Sequence, residues 1–213
     1  MRAVLAHEAS GLRTRLGFRS AAWPKAIPVY LLLIGVFGVF LPWEKGQDFL
    51  DAVMLGAYAC LGVVFAAPAA AVGYESTPTM REAVARILIC VLYGELVAAV
   101  MLFSGLITVY AVRGGRVVVG PDLRSLAQCS ALGLALSLAL TTGAVWLSVR
   151  FSPGAARGVV RVAFLGLLAA FYLRSGWLPT VALRGTGVGL LISILLLVGL
   201  RATLGANPGR EGA

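Results

Sequence analysis

Apolar residues in this chain come in six long runs, at about 26–43, 52–72, 87–112, 126–149, 158–173 and 186–204, and most of the charged residues lie between the runs or at their edges. A helix rises about 1.5 Å per residue, so roughly 20 residues cross the hydrocarbon of a bilayer. Each run is near that length. In hydrocarbon a span must satisfy its own backbone N–H and C=O groups, which selects helices. The pattern therefore predicts an all-α membrane protein with six transmembrane helices.

Ahead of the first run, Leu5, Ala9, Leu12 and Leu16 fall on one stripe at helical spacing, with Arg2 and Arg13 on one flank and Arg15 and Arg19 on the other. Cations beside an apolar stripe can reach phosphates while the stripe sinks into the interface. Residues 1–24 are thus expected to be an interfacial amphipathic helix, the alternative being a disordered basic tail. Residues 25–205 form the transmembrane domain and 206–213 a polar tail. Trp23 and Trp43 bracket the first run as interface aromatics. That run begins only near Ala26 and ends in Leu41-Pro42-Trp43-Glu44, without a small-residue cleavage site, so no cleavable signal is expected.

Composition sharpens this picture. The chain has 213 residues, 60% of them hydrophobic and 13% charged, more apolar surface than one soluble core hides. The net charge of +9 would suggest nucleic acid in a soluble protein. Here no long basic run with interleaved aromatics exists, so the cations are read as partners of anionic headgroups and determinants of topology. With the N-terminus in the cytoplasm, twelve of the eighteen Lys and Arg residues fall on that side and six outside. This bias predicts a multi-pass protein of the inner or plasma membrane with both termini cytoplasmic. Cys60, Cys90 and Cys129 each lie inside an apolar run and are read as small buried hydrophobes.

Catalytic parts are scarce. There is one histidine, His7, and no Gly-x-x-x-x-Gly-Lys-Ser/Thr loop, so no enzyme, metal site or resident cofactor is expected in this chain. The glycines of Gly185-Thr186-Gly187-Val188-Gly189 are read as small residues for close helix packing. Two features remain. Glu95 is the one acidic residue deep in a run, and a carboxylate in lipid must face protein or water. Arg161, entering the fifth span from the same side, is its candidate partner. The pair is either a substrate- or proton-linked site or a structural bond between helices. The second feature is the polar connector that contains Glu75, Thr77, Pro78, Thr79, Met80, Arg81, Glu82 and Arg86. Thr77 is expected as N-cap and Pro78 in the first turn of a short helix, with Glu82 and Arg86 paired at i,i+4. Such a helix at the cytoplasmic face is a handle for a partner protein, or else a plain loop.

Order and motifs together resemble the permease subunit of ABC transporters of the type-two (exporter) superfamily. The resemblance is carried by the basic opening helix from Met1 to Arg15, Leu41-Pro42-Trp43-Glu44-Lys45-Gly46, Glu75 with Thr77-Pro78 and Arg86-Ile87-Leu88, Leu92-Tyr93-Gly94, Gly105-Leu106-Ile107-Thr108-Val109, and Leu147-Ser148-Val149-Arg150. It implies a pathway formed by two permease subunits, identical or different, above two separate ATP-binding subunits. ATP and Mg would be bound by those partners, and the connector would sit in a groove on the ATPase. The rival readings are a non-transporting assembly or structural membrane protein and a secondary transporter.

Overall fold

The structure, a computed structural model, describes residues 2–15, 66, 67, 69–71, 78–112, 123–173 and 178–205. Within them the chain is helical: α1 (Arg2–Arg15), α2 (Met80–Val112), α3 (Leu123–Arg150), α4 (Pro153–Leu173) and α5 (Leu178–Gly205). Among the described residues three segments are long and apolar enough to cross a membrane: Met80–Val100, Ser130–Arg150 and Leu183–Gly205. The expected first span, most of the second, the loops at 113–122 and 174–177, and the polar tail lie outside the described residues.

The helices begin earlier than their apolar runs. α2 starts at Met80, so the short connector helix and the third span are one helix of 33 residues, about 50 Å long. Its start carries a capping box. The Thr79 hydroxyl accepts from the Glu82 N–H at 3.3 Å, and the Thr79 N–H donates to Glu82 Oε2 at 2.8 Å. Thr79, not Thr77, is therefore the N-cap, and Pro78 lies before the helix, buried. Glu82 reaches back to the cap instead of forward to Arg86. Thr79→Ala is expected to cost about 1 kcal/mol of local stability, read as roughly fivefold faster hydrogen exchange at the Glu82 amide.

The expected basic turn at 150–157 shrinks to Phe151 and Ser152. Ser152 caps α4, its hydroxyl accepting from the Ala155 N–H at 3.2 Å, and Pro153 fills the first helical position, where a missing N–H costs nothing. At α5 the glycines after Arg184 mark the interior of the helix and not its start. Cations near helix ends stay inside the helix because their long stems can carry the charge out to the interface.

α2, α3, α4 and α5 meet in one core cluster that joins Ile87, Cys90, Val145, Ala156, Val160 and Leu200 with Ala67 and Ala69 to Ala71. The cluster lies near the start of α2, the end of α3, the start of α4 and the end of α5, so these four ends share one face of the bundle. α3 and α5 form the closest pair. At Gly189 an added Cβ would stand 3.1 Å from Ala135 Cβ and 3.3 Å from the Ala135 carbonyl carbon. The other side of α5 is open: Leu183 is 73% exposed, Leu195 62% and Val198 61%. Each such residue left in water would forfeit about 1.5–3 kcal/mol of burial; in lipid the exposure carries no such penalty.

Candidate functional site

Two polar constellations stand out in an otherwise apolar bundle. The first joins α1 to α2. Arg86 Nε donates to Glu8 Oε2 at 3.2 Å, with the two side chains 2% and 6% exposed. α1 is a helix as expected, but the residue it buries is Glu8, beside the predicted stripe, while Leu5 is half-buried. A buried ion pair is thus part of what seats α1 on α2. Charges removed from water are stabilised by pairing, so docking α1 brings the Glu8 carboxylate to the buried Arg86 guanidinium. Of the connector, Thr79 and Arg81 are exposed, Met80 packs against the core, Glu82 caps and Arg86 is buried. Glu75 and Thr77 lie outside the described residues.

The second constellation is at mid-span. Ser137 Oγ, fully buried on α3, donates to Glu95 Oε1 on α2 at 2.7 Å. Glu95 itself is half-buried. One turn along α3 from Ser137, the Thr141 hydroxyl is buried and has no hydrogen-bond partner among the described residues. Other helical hydroxyls fold back onto their own backbone: Thr142 onto the Leu138 carbonyl, Ser193 onto that of Gly189 and Thr203 onto that of Gly199. Ser137 and Thr141 differ. They share the face of α3 turned away from α5, which meets α3 at Leu132, Ala135 and Gly143. The seam between α2 and α3 is therefore polar where Ser137 meets Glu95, and the Thr141 hydroxyl lies one turn further along the same face of α3. An interhelical hydrogen bond of this kind contributes on the order of 1 kcal/mol in a membrane.

Arg161 does not complete this site. It is exposed on α4, and among the described residues it forms no ion pair with Glu95. α4 turns Ala156 and Val160 into the core, which aims Arg161 outward. Compared with known proteins, the chain matches no family model, no curated protein and no solved structure.

Among the described residues no three His, Cys, Asp or Glu side chains gather to hold a metal ion. Sequence reasoning missed Glu8, Ser137 and Thr141. Glu8 carried a signal, as the only acidic residue in the first 43 positions. Ser137 and Thr141 carried a weaker one, two hydroxyls at i,i+4 inside an apolar run.

Proposed function

We propose that this chain is the membrane-spanning permease subunit of an ABC transporter, exporting a hydrophobic or amphipathic substrate. It would have six transmembrane helices, an interfacial N-terminal helix and both termini in the cytoplasm. One observation supports this reading above the others: α1 is fastened by Glu8 and Arg86 to the first turns of α2, just beyond the capped connector. A subunit driven by a partner must carry a push at the membrane face into its spans. A continuous helix of 33 residues with α1 locked to its base is a rigid lever for that. The exposed Thr79 and Arg81 are then the contact points for the ATPase. Nucleotide-driven closure of two ATP-binding subunits would bias the spans between two states. ATP and Mg would be held by those partners, and a second permease subunit, identical or not, would complete the pathway.

The rival, a non-transporting assembly protein, has one observation on its side. The described connector residues are the first turns of a span and not a separate docking helix. A secondary transporter is favoured less, because such proteins build their sites on broken helices, and α2, α3 and α5 run unbroken where described.

Affinity purification from native membranes tests the reading. An ATP-binding subunit is expected to co-purify, and Arg81→Glu is expected to lose it while the thermal midpoint stays unchanged. In liposomes, the pair should hydrolyse ATP faster with substrate present. Purification without any ATP-binding subunit, or a reconstituted pair that moves nothing, refutes it.

A further inference from the structure

With Glu95 satisfied by Ser137, Arg161 needs another account. It lies about two turns into α4 from Pro153. On the outer side of that helix Val159 is 52% exposed, Val162 71% and Leu165 61%. Arg157, Arg161 and Leu165 follow one another at i,i+4, so two cations lead along the helix into an apolar surface. At the other side of the two-residue turn, Arg150 is held between rings: its guanidinium carbon is 5.7 Å from the Trp146 ring centroid and 5.8 Å from that of Phe151. The Trp146 ring is itself fixed, its Nε1–H donating to Thr203 Oγ1 at 3.2 Å. Phe151 is 65% exposed.

None of these arginines meets a carboxylate among the described residues. The acidic groups there are three. Glu8 is on Arg86, Glu82 on the α2 cap and Glu95 on Ser137. Aromatic faces orient Arg150 without neutralising it, and the Arg157 Nε–H donates to the Pro153 carbonyl at 3.3 Å, which leaves its charge in place.

We propose that Arg157 and Arg161, one turn apart on α4, bind the headgroup phosphate of an anionic phospholipid whose acyl chains run along Val162 and Leu165, with Arg150 across the turn adding positive charge at the same level. The turn stands at the end of the Ser130–Arg150 span, the level at which headgroups lie. A guanidinium is a planar fork that takes phosphate oxygens in pairs. Arg161 lies deeper along α4, and a stem of its length can lie on the apolar helix surface and bring the guanidinium to that level. The site is independent of the permease reading and stands or falls separately from it.

The test is native mass spectrometry of the full chain in detergent with added phosphatidylglycerol or phosphatidylcholine. Phosphatidylglycerol should be retained preferentially, and Arg161→Gln should weaken it by about fivefold, with Arg157→Gln adding a similar factor. Arg184→Gln removes the same charge from an exposed residue near the opposite end of α5 and should leave retention unchanged. All three positions are exposed, so folding is expected to survive, and thermal midpoints check it. Equal retention of the two lipids, or equal loss from Arg161→Gln and Arg184→Gln, overturns the proposal. So does displacement of phosphatidylglycerol by soluble glycerol phosphate, which would make this a site for free phosphate.

Discussion

Replacing Glu8 with leucine is expected to destabilise the protein by about 3–5 kcal/mol, and replacing Arg86 with methionine in the same chain should return most of that loss. The reasoning rests on burial. Both side chains of the pair are almost inaccessible, at 2% and 6% exposure. A single replacement takes the carboxylate from a buried guanidinium and sets an apolar group beside it, whereas the double replacement leaves two apolar groups of similar size in contact. α1 offers a way to limit the damage, since undocking it returns Arg86 to water. The loss should therefore show first as release of α1, with faster tryptic cleavage at Arg13 and Arg15, and then as a lower thermal midpoint in detergent. A double-mutant cycle separates the pair from its surroundings. If Glu8→Leu alone leaves both readouts at their wild-type values, the ion pair is not what holds α1, and the lever argued for α2 loses its base.

What the sequence makes legible depends on the range of the interactions. Apolar runs are local, and α2, α3, α4 and α5 each contain one, with candidate membrane spans in α2, α3 and α5. Their starts were misplaced because charge was taken as a boundary. Arg157 lies inside α4 and Arg184 inside α5, since a long cationic stem lets a helix continue past the charge. The capping box Thr79-Met80-Arg81-Glu82 was legible, but Thr77-Pro78 offered a competing start, and both are good local signals. Glu95 was legible as an outlier because its cost comes from depth alone. Its partner was not, because depth says nothing of direction around a helix. Arg161 had the reach, but α4 spends its inward face on Ala156 and Val160. Glu8 and Arg86 are 78 positions apart, and no local rule joins a helix at the N-terminus to the foot of a span. What remained hidden was tertiary: the polar contacts between helices, which are the ones the function is argued from.

The α3–α5 seam gives the other large expected effect. Gly189→Leu should destabilise the protein by at least about 1–3 kcal/mol, while Gly187→Leu, two residues away on the same helix, should stay within about 0.5 kcal/mol. The two glycines differ in what a side chain would meet. At Gly187 an added Cβ has nothing within 4 Å. At Gly189 it meets Ala135, including that residue's carbonyl carbon at 3.3 Å and oxygen at 3.4 Å, and backbone cannot step aside. Gly185→Ala should fall between them, since the 2.8 Å approach there is to Leu132 Cδ1, the movable tip of a side chain. Unfolding by sodium dodecyl sulfate titration, followed by helical circular dichroism, orders the three variants. Equal midpoints for Gly187→Leu and Gly189→Leu would show that α3 and α5 are not held by close approach. The size of the effect follows from the solvent. Between helices in lipid there is no hydrophobic drive to replace lost contacts, so association rests on van der Waals packing and a few hydrogen bonds. Forcing α5 away from Ala135 weakens the packing and also strains the Trp146–Thr203 hydrogen bond further along the same pair of helices.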